Sequence, residues 1–221
     1  MNNTRVLILG DTSYESVFVK HGWSIDGSIA DIGIRPLDLI CFTGGTDVSP
    51  DLYGEDRHPS TQSSDRERDT EETEIFNKAL KHKIPMVGIC RGAQFLCVMN
   101  GGSLIQDVTG HCQYHEVYTS TGETLVVSSS HHQMMKPART YHRLLAASSG
   151  ISLKYEGFKD GVAFDHLLHK SGFGEGYVEP EVIHWPLTRS LGHQPHPEWM
   201  DKEAPYVKYF FHTIEKYLGV K

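Results

Sequence analysis

A cysteine between two glycines, at the end of a buried strand, constrains this chain more than any other feature. The segment reads Val87-Gly88-Ile89-Cys90-Arg91-Gly92-Ala93-Gln94. A nucleophile on a sharp strand-to-helix turn has a cramped backbone, so the positions two before and two after it must be small. The helix N-terminus that follows would favour the thiolate over the thiol. The pattern predicts a reactive Cys90, although a buried structural cysteine beside a tight turn would read the same way.

A histidine and a glutamate far along the chain supply the partners that a nucleophilic cysteine needs. They lie in the segment Gly192-His193-Gln194-Pro195-His196-Pro197-Glu198. In an extended segment, side chains two positions apart face the same way, so Glu198 can hold the ring of His196. With Cys90, these residues provide a nucleophile, a base and a group that orients the base. Alone, the His-Pro-Glu segment would also fit a solvated turn.

Strand and helix signals alternate through the first half of the chain. Apolar runs predict strands at Val6–Leu9, Leu37–Phe42 and Met86–Ile89. The predicted helices run from a capping box of Asp69 and Glu72 to about Lys83, and from Arg91 to Met99. Strands linked by helices imply a parallel sheet, whose functional groups gather at the carboxyl ends of the strands. The pair Gly44-Gly45 and the elbow cysteine Cys90 both fall at such ends.

The second half of the chain has shorter strand signals joined by turns. They cover Glu123–Val127, Arg143–Ala147, Val182–Trp185 and Ser190–Gly192. Apolar residues at helical spacing predict a last helix over Pro205–Leu218. The glycine-rich segment Gly157–Pro180 fits a lid over the site and an irregular surface loop equally well. No repeat or low-complexity linker divides the chain, so we expect one domain over residues 1–221.

Composition narrows the classes of function and the compartment. The formal net charge is −7 and no local basic cluster occurs, which argues against binding nucleic acid. No charged leader precedes Val6–Leu9, and no apolar stretch approaches the roughly 20 residues of a membrane span, so we expect neither a signal peptide nor a membrane segment. The 4 cysteines are too few for a disulfide scaffold, which indicates a reducing compartment. We expect a cytoplasmic protein in which Cys41 and Cys97 are core residues and Cys112 lies in a loop.

Several blocks of residues form a specific combination, although each block alone would be weak. They are Thr43–Pro50 with Leu52–Glu55, Arg68-Asp69 with Glu72, the Cys90 elbow, Ser128–Gln133, and the segment of His196 and Glu198. Together they resemble class I glutamine amidotransferases. They are most similar to the γ-glutamyl hydrolase branch (peptidase C26), which includes γ-glutamyl-γ-aminobutyrate hydrolases. The family more often has Asn at the position of Ser128.

This resemblance implies a flavodoxin-like three-layer α/β sandwich with a mostly parallel central sheet and a small antiparallel strand addition. It implies that Cys90, His196 and Glu198 form a triad that cleaves the γ-glutamyl amide bond of glutamine or of a γ-glutamyl amine, without a cofactor. The backbone N–H groups of Gly45 and Arg91 would form the oxyanion hole. The residues expected to bind the glutamyl group are Gln94, His131, His132 and Gln133.

Histidines near the expected substrate loop raise the alternative of a metal site. His131 and His132 follow His111, Cys112 and His115 at short distances in the sequence. With 14 histidines in the chain, chance pairs are common, and no spacing repeats a known zinc pattern. We therefore expect no metal.

No motif marks the residues that contact the amine half of the substrate. We expect that half to meet Tyr53, the loop after Gly102 and the Gly157–Pro180 segment. The identity of the amine stays open.

Three functions remain open on the sequence. The first is a stand-alone hydrolase that releases an amine or ammonia to water, favoured by the Asp47–Pro50 and Tyr53–Glu55 blocks. The second is a glutaminase subunit that delivers ammonia to a separately encoded synthetase. The third is a non-catalytic flavodoxin-like binding or stress protein, which the His-Pro-Glu segment disfavours. The expected partners are a small γ-glutamyl substrate and either a second copy of the chain, in a homodimer, or a synthetase.

Overall fold

The computed structural model describes residues 4–62, 64–139, 141–166 and 178–221, and one large sheet organises them. The strands in these ranges are β1 (Val6–Leu9), β2 (Leu39–Phe42), β3 (Met86–Ile89), β4 (Ser103–Ile105), β5 (Asp107–Val108), β6 (His115–Thr119), β7 (Thr124–Val127), β8 (Met134–Lys136), β9 (Arg143–Ser149), β10 (Tyr155–Lys159), β11 (Val162–Asp165), β12 (Val178–Trp185) and β13 (Ser190–His193). The α-helices are α1 (Glu15–His21), α2 (Arg66–His82), α3 (Arg91–Met99) and α4 (Pro205–Thr213).

The large sheet has the strand order β1-β2-β3-β13-β12-β9-β6-β7. The strands β1, β2, β3 and β13 pair in parallel, and the strands from β12 to β7 continue the sheet in antiparallel pairs. Two smaller sheets, β11-β10-β5 and β4-β8, lie outside it. The predicted fold class is confirmed: this is a flavodoxin-like α/β sandwich with a parallel core and antiparallel additions.

Alternate residues of the parallel strands pack into cores on opposite faces of the sheet. Val6 of β1 belongs to the core that contains residues of α1 and α4, whereas Leu7 belongs to the core that contains residues of α2 and α3. Because successive side chains of a strand point to opposite faces, both faces must be apolar when helices cover both. This explains the near-continuous apolar strands seen in the sequence.

The N-terminus of α2 differs from the predicted capping box. Asp65 is the N-cap residue, and its side chain accepts a hydrogen bond from the backbone N–H of Arg68 at 3.0 Å. Asp69 and Glu72 lie inside the helix, and both form buried ion pairs with Arg91. The capping-box prediction was wrong because these carboxylates pair with the guanidinium of Arg91 instead of capping the helix N-terminus.

The glycine-rich segment contains more regular structure than predicted. Strands β10 and β11 form an antiparallel hairpin with Gly157 opposite Phe164, and β12 already begins at Val178. The prediction of a loop from Gly157 was therefore wrong for these strands, and residues 167–177 lie outside the described residues. The last helix also differs, because α4 gives way to a π-helical turn at Ile214–Leu218.

The cysteines other than Cys90 lie where the sequence predicts. Cys41 and Cys97 are fully buried, and burial raises the pKa of both thiols. Cys112 is exposed in a loop. In the described ranges, the helices are too short or too polar to cross a bilayer.

Candidate active site

Cys90 occupies a strained turn between β3 and α3. Its backbone has φ 52° and ψ −112°, a region that non-glycine residues rarely adopt. A Cβ atom at Gly88 would lie 2.3 Å from the carbonyl oxygen of Gly92, and one at Gly92 would lie 2.0 Å from the carbonyl oxygen of Phe42. The prediction that both flanking positions must be small is confirmed.

The predicted histidine–glutamate pair forms next to this cysteine. His196 is 3% exposed, and its Nδ1 lies 2.6 Å from Oε1 of Glu198. The backbone between them is a short 3₁₀ turn, Pro197–Trp199, so the predicted extended conformation was wrong while the contact itself is present. Pro197 opens this turn, and the turned backbone places the carboxylate of Glu198 against the ring.

The surroundings of His196 favour its charged form. Burial lowers its pKa, but hydrogen bonding and Coulomb attraction involving Cys90 and Glu198 outweigh burial and raise the pKa to about 9. Nε2 is buried and forms no hydrogen bond of acceptable geometry with a described residue. The Cys90 side chain is nevertheless near enough to raise the pKa of the ring. The ring therefore has one nitrogen fixed by a carboxylate and the other without such a partner within the described ranges.

Two aromatic side chains hold the imidazole and were missed by the sequence reasoning. The indole of Trp199 stacks on the His196 ring with centroids 3.7 Å apart and planes at 4°. The hydroxyl of Tyr14 lies 3.4 Å from Nδ1. Trp199 follows Glu198 directly and could have been suspected, but Tyr14 precedes α1 in a segment without any motif.

His193, the other histidine of the same segment, has a structural role. It ends β13, and its ring nitrogens contact the hydroxyls of Tyr206 at 3.0 Å and Thr213 at 3.1 Å. Burial lowers its pKa to about 3, so it stays neutral. The two histidines of the segment thus differ, because the side chain of His193 is held by hydroxyls in the core, whereas that of His196 interacts with Cys90.

Arg68 orients the glycine loop that follows β2. Its Nη2 donates to the carbonyl oxygen of Thr43 and its Nη1 to that of Gly44, both at 3.0 Å. In a trans peptide the C=O and N–H point in opposite directions, so the N–H of Gly45 points away from Arg68. The loop adjoins Cys90, since a Cβ at Gly44 would lie 3.6 Å from Cβ of Cys90.

A buried ion-pair network connects that loop to the elbow helix. Arg68 donates through Nε to Glu72 at 2.8 Å, and Glu72 also pairs with Arg91. Asp69 pairs with Arg91 and accepts from the backbone N–H of Ser49 at 2.9 Å. The Arg91 side chain is thus directed toward α2, whereas its backbone N–H is the first of α3, directly after Cys90.

The expected substrate residues meet at one loop. Gln94 donates through Nε2 to the carbonyl oxygen of Gln133 at 3.0 Å, and Nδ1 of His131 lies 2.8 Å from the same oxygen. His132 contacts Asp47 at 3.1 Å through Nε2. The structure therefore brings Gln94, His131, His132 and Gln133 together and connects them to the glycine block.

The same loop touches the histidine segment. The hydroxyl of Ser128 donates to the carbonyl oxygen of His196 at 2.6 Å, and the backbone N–H of His196 donates to the carbonyl oxygen of Ser128 at 3.2 Å. Serine at this position, where the resembling family more often has asparagine, thus bonds the backbone of the candidate base.

The residues expected around the amine half line a cavity at a distance from Cys90. A cavity of about 650 Å³ is bordered by Tyr53, Gly102 and Pro180. Gly102 lies beyond the C-terminus of α3 whereas Cys90 precedes its N-terminus, and nine helical residues rise about 13 Å. The three parts come together as expected, but at the other end of α3 from the cysteine.

Two other groups of side chains have the composition of a metal site. They are His111 with His131 and Glu181, and His58 with Asp107 and Glu156. The first includes a histidine of the expected substrate loop.

Comparison with solved structures supports the fold. A glutamine amidotransferase from Thermotoga maritima superposes with a TM-score of 0.56 at 17% sequence identity, covering 98% of this chain and 86% of that chain. At this identity the likeness concerns the fold alone.

Sequence comparisons identify the family. A γ-glutamyl-γ-aminobutyrate hydrolase from Escherichia coli K12 is 31% identical over 185 residues, which cover 79% of this chain and 69% of the relative. Protein NtpR from Enterococcus hirae is 34% identical over 126 residues, covering 47% of this chain and 53% of NtpR, so the match spans about half of that relative. The family model of peptidase C26 matches residues 23–153, more than half of the chain. By these matches, the chain belongs to the peptidase C26 family.

Proposed function

We propose that this protein is a cysteine-dependent hydrolase that cleaves γ-glutamyl amide bonds through a γ-glutamyl thioester. The observation that carries the proposal is the strained backbone of Cys90, at φ 52° beside the buried pair of His196 and Glu198. Strain of this kind persists where the surrounding structure enforces it, and it aims a nucleophile out of the sheet. Glu198 fixes the ring so that its other nitrogen exchanges a proton with the thiol.

In the first half-reaction, the thiol proton of Cys90 is transferred to Nε2 of His196, and Sγ attacks the side-chain amide carbon of the substrate. The carbonyl oxygen becomes an oxyanion, and the backbone N–H groups of Gly45 and Arg91 bind it. Fixed donors of this kind are worth about 3–4 kcal/mol of barrier each. His196 then gives its proton to the departing amine as the carbon–nitrogen bond breaks.

In the second half-reaction, a water molecule attacks the thioester while His196 accepts its proton. The carbon–sulfur bond breaks, glutamate leaves, and the proton returns to the Cys90–His196 pair. Glu198 balances the imidazolium in both steps. The pKa of His196, raised to about 9, means that the proton for the leaving amine is already present near neutral pH.

The loop of residues 128–133 would bind the glutamyl amino and carboxylate groups. Gln133 and the partly exposed His132 are the side chains that we assign to this contact. Gln94 and His131 both hydrogen-bond to the carbonyl oxygen of Gln133, so we assign them to holding the loop in place. The oxyanion-hole role of Gly45 depends in the same way on the hold of Arg68 on the glycine loop.

A second candidate function, a glutaminase that supplies ammonia to a synthetase, uses the same chemistry. The name of the E. coli relative favours the stand-alone hydrolase. The two differ in dependence on a partner, because a glutaminase subunit alone should be nearly inactive. A non-catalytic binding protein would turn over none of the substrates.

The test is a rate panel with purified protein, using glutamine and a series of γ-glutamyl amines, with glutamate release as the readout. We expect turnover without a partner and none with Cys90→Ala, whose fold is checked by circular dichroism. Activity that requires a synthetase would favour the ammonia-supplying role. Equal rates for Cys90→Ala and wild type would remove Cys90 from the mechanism.

A further inference from the structure

A second buried cluster of chemically active side chains lies behind the loop of residues 128–133. His111 follows β5, His131 lies between β7 and β8, and Glu181 belongs to β12. Their exposed fractions are 0%, 5% and 0%. One nitrogen or oxygen atom from each lies within 4.8 Å of the others, a spacing that one metal ion can bridge. Three distant parts of the chain thus converge on one point.

His131 presents an unpaired nitrogen to this point. Its Nδ1 lies 2.8 Å from the carbonyl oxygen of Gln133, which requires Nδ1 to donate the hydrogen and leaves a lone pair on Nε2. Nε2 is buried and has no hydrogen-bond partner within the described ranges. Burying an unpaired acceptor costs free energy, whereas a metal-binding histidine typically donates its other N–H to a carbonyl in this way.

Glu181 and His111 also have unpaired atoms here. Oε1 of Glu181 accepts from the hydroxyl of Ser148 and contacts Nε2 of His115, both at 2.9 Å, but Oε2 is buried without a partner in the part of the chain that the structure describes. The ring nitrogens of His111 lie 3.5 Å from Glu181 and 3.6 Å from Glu179, and neither makes a hydrogen bond to a described residue. Each of the three candidate ligands therefore has an unsatisfied buried atom.

We propose that His111, His131 and Glu181 bind one divalent transition-metal ion of the zinc type. Imidazole nitrogens with a carboxylate oxygen are a ligand set that suits Zn²⁺, with water or His115 completing four-coordination. The two positive charges of the ion would balance the buried carboxylates of Glu179 and Glu181. From the spacing of the histidines alone we expect no metal, because the sequence does not show that Glu181 lies beside them.

The ion would position the substrate loop instead of reacting with substrate. The backbone N–H of His131 donates to the carbonyl oxygen of His111 at 3.1 Å, and the hydroxyl of Ser129 donates to the same oxygen at 2.7 Å. Fixing His111 and His131 to one ion would fix the backbone that carries Gln133. The inference concerns metal binding and does not depend on the proposed hydrolysis.

The second cluster, around His58, provides a matched control. Nδ1 of His58 accepts from the backbone N–H of Ser60 at 3.0 Å, and Asp107 pairs with Lys154 and with the hydroxyl of Ser60. Nδ1 of His58 and the carboxylate of Asp107 are therefore already engaged. The variant His58→Asn alters a buried histidine of similar composition without removing a proposed ligand.

The experiment uses the full chain carrying Cys90→Ala, so that the elbow thiol cannot bind the metal. Protein treated with chelator is incubated with Zn²⁺, desalted and analysed by mass spectrometry of the elements. We expect about one ion per chain in this background and with added His58→Asn, and about tenfold less with His111→Asn or Glu181→Gln. Circular dichroism identifies any variant that fails to fold.

A readout that needs no ligand variant is the visible spectrum after loading with Co²⁺. Four-coordinate Co²⁺ absorbs far more strongly than the hydrated ion, and we expect this strong absorption at one equivalent. A protein that retains no ion, or His111→Asn and Glu181→Gln variants that retain as much as the background protein, would overturn the proposal. In that case the cluster is a metal-free ion pair, with a protonated His111 held between Glu179 and Glu181.

Discussion

Adding one methyl group at Gly92 tests the geometry of the elbow. Alanine would place Cβ 2.0 Å from the carbonyl oxygen of Phe42, where real contacts are essentially never under 3.0 Å, so helix and strand must separate by about 1 Å. Alanine also improves helix propensity by about 1 kcal/mol over glycine. The clash outweighs this gain, because overpacking against a rigid backbone costs about 1–3 kcal/mol or more.

The displacement acts on the reaction as well as on stability. Phe42 directly precedes the Thr43–Gly45 loop, so moving α3 away from it separates the N–H of Arg91 from that of Gly45. A misplacement of about 1 Å can reduce a rate by about 10²-fold. We expect Gly92→Ala to lower kcat by about that factor and to lower the free energy of unfolding.

The assay is the initial rate on a chromogenic γ-glutamyl anilide, combined with urea unfolding. Gly192→Ala is the matched control, because the three atoms nearest to its Cβ would be side-chain atoms of Trp185 and Ala93, at 3.1–3.3 Å. These contacts are about 1 Å longer than the contact at Gly92, so a shift of a few tenths of an ångström relieves them, and both quantities should change far less than in Gly92→Ala. A Gly92→Ala protein with wild-type kcat and stability would refute the packing argument.

Three further variants test the network around the site. Glu198→Gln removes an interaction that raises the pKa of His196 to about 9, so the alkaline limb of the kcat/KM profile should move to lower pH, and an unchanged limb would contradict the pairing. Arg68→Met should lower kcat by about tenfold or more at similar KM by releasing the glycine loop, whereas Arg66→Met, in the exposed first turn of the same helix, should not. Arg91→Met leaves Asp69 buried without a counter-charge and leaves Glu72 with Arg68 as its remaining partner, so urea unfolding at neutral pH should show a loss of about 3–5 kcal/mol, and unchanged stability would contradict this.

Short-range features of the site could be predicted from the sequence. The elbow follows from glycines two positions either side of Cys90, and the contact of His196 with Glu198 follows from their separation by one residue. Apolar runs located the strands of the parallel core, because a strand covered on both faces must be apolar throughout. These inferences involve neighbours in the chain, whose relative geometry is restricted by local sterics.

Long-range contacts could not be predicted in this way. Asp69 and Glu72 fit a capping box by spacing, but both carboxylates pair with the guanidinium of Arg91, some twenty positions later in the chain. Tyr14 reaches His196 only because α1 packs beside the segment that follows β13. Glu181 lies just before the predicted strand Val182–Trp185 and belongs to no motif, and only the fold brings it to His111 and His131.

The central claim is that Cys90 carries the glutamyl group during turnover. The direct measurement is rapid acid quenching of the protein during hydrolysis of a γ-glutamyl anilide, followed by intact-mass analysis and peptide mapping. The account predicts an added glutamyl group on the peptide that contains Cys90, absent from Cys90→Ala. Steady turnover with that peptide unmodified, or with the glutamyl group on another residue, would contradict it.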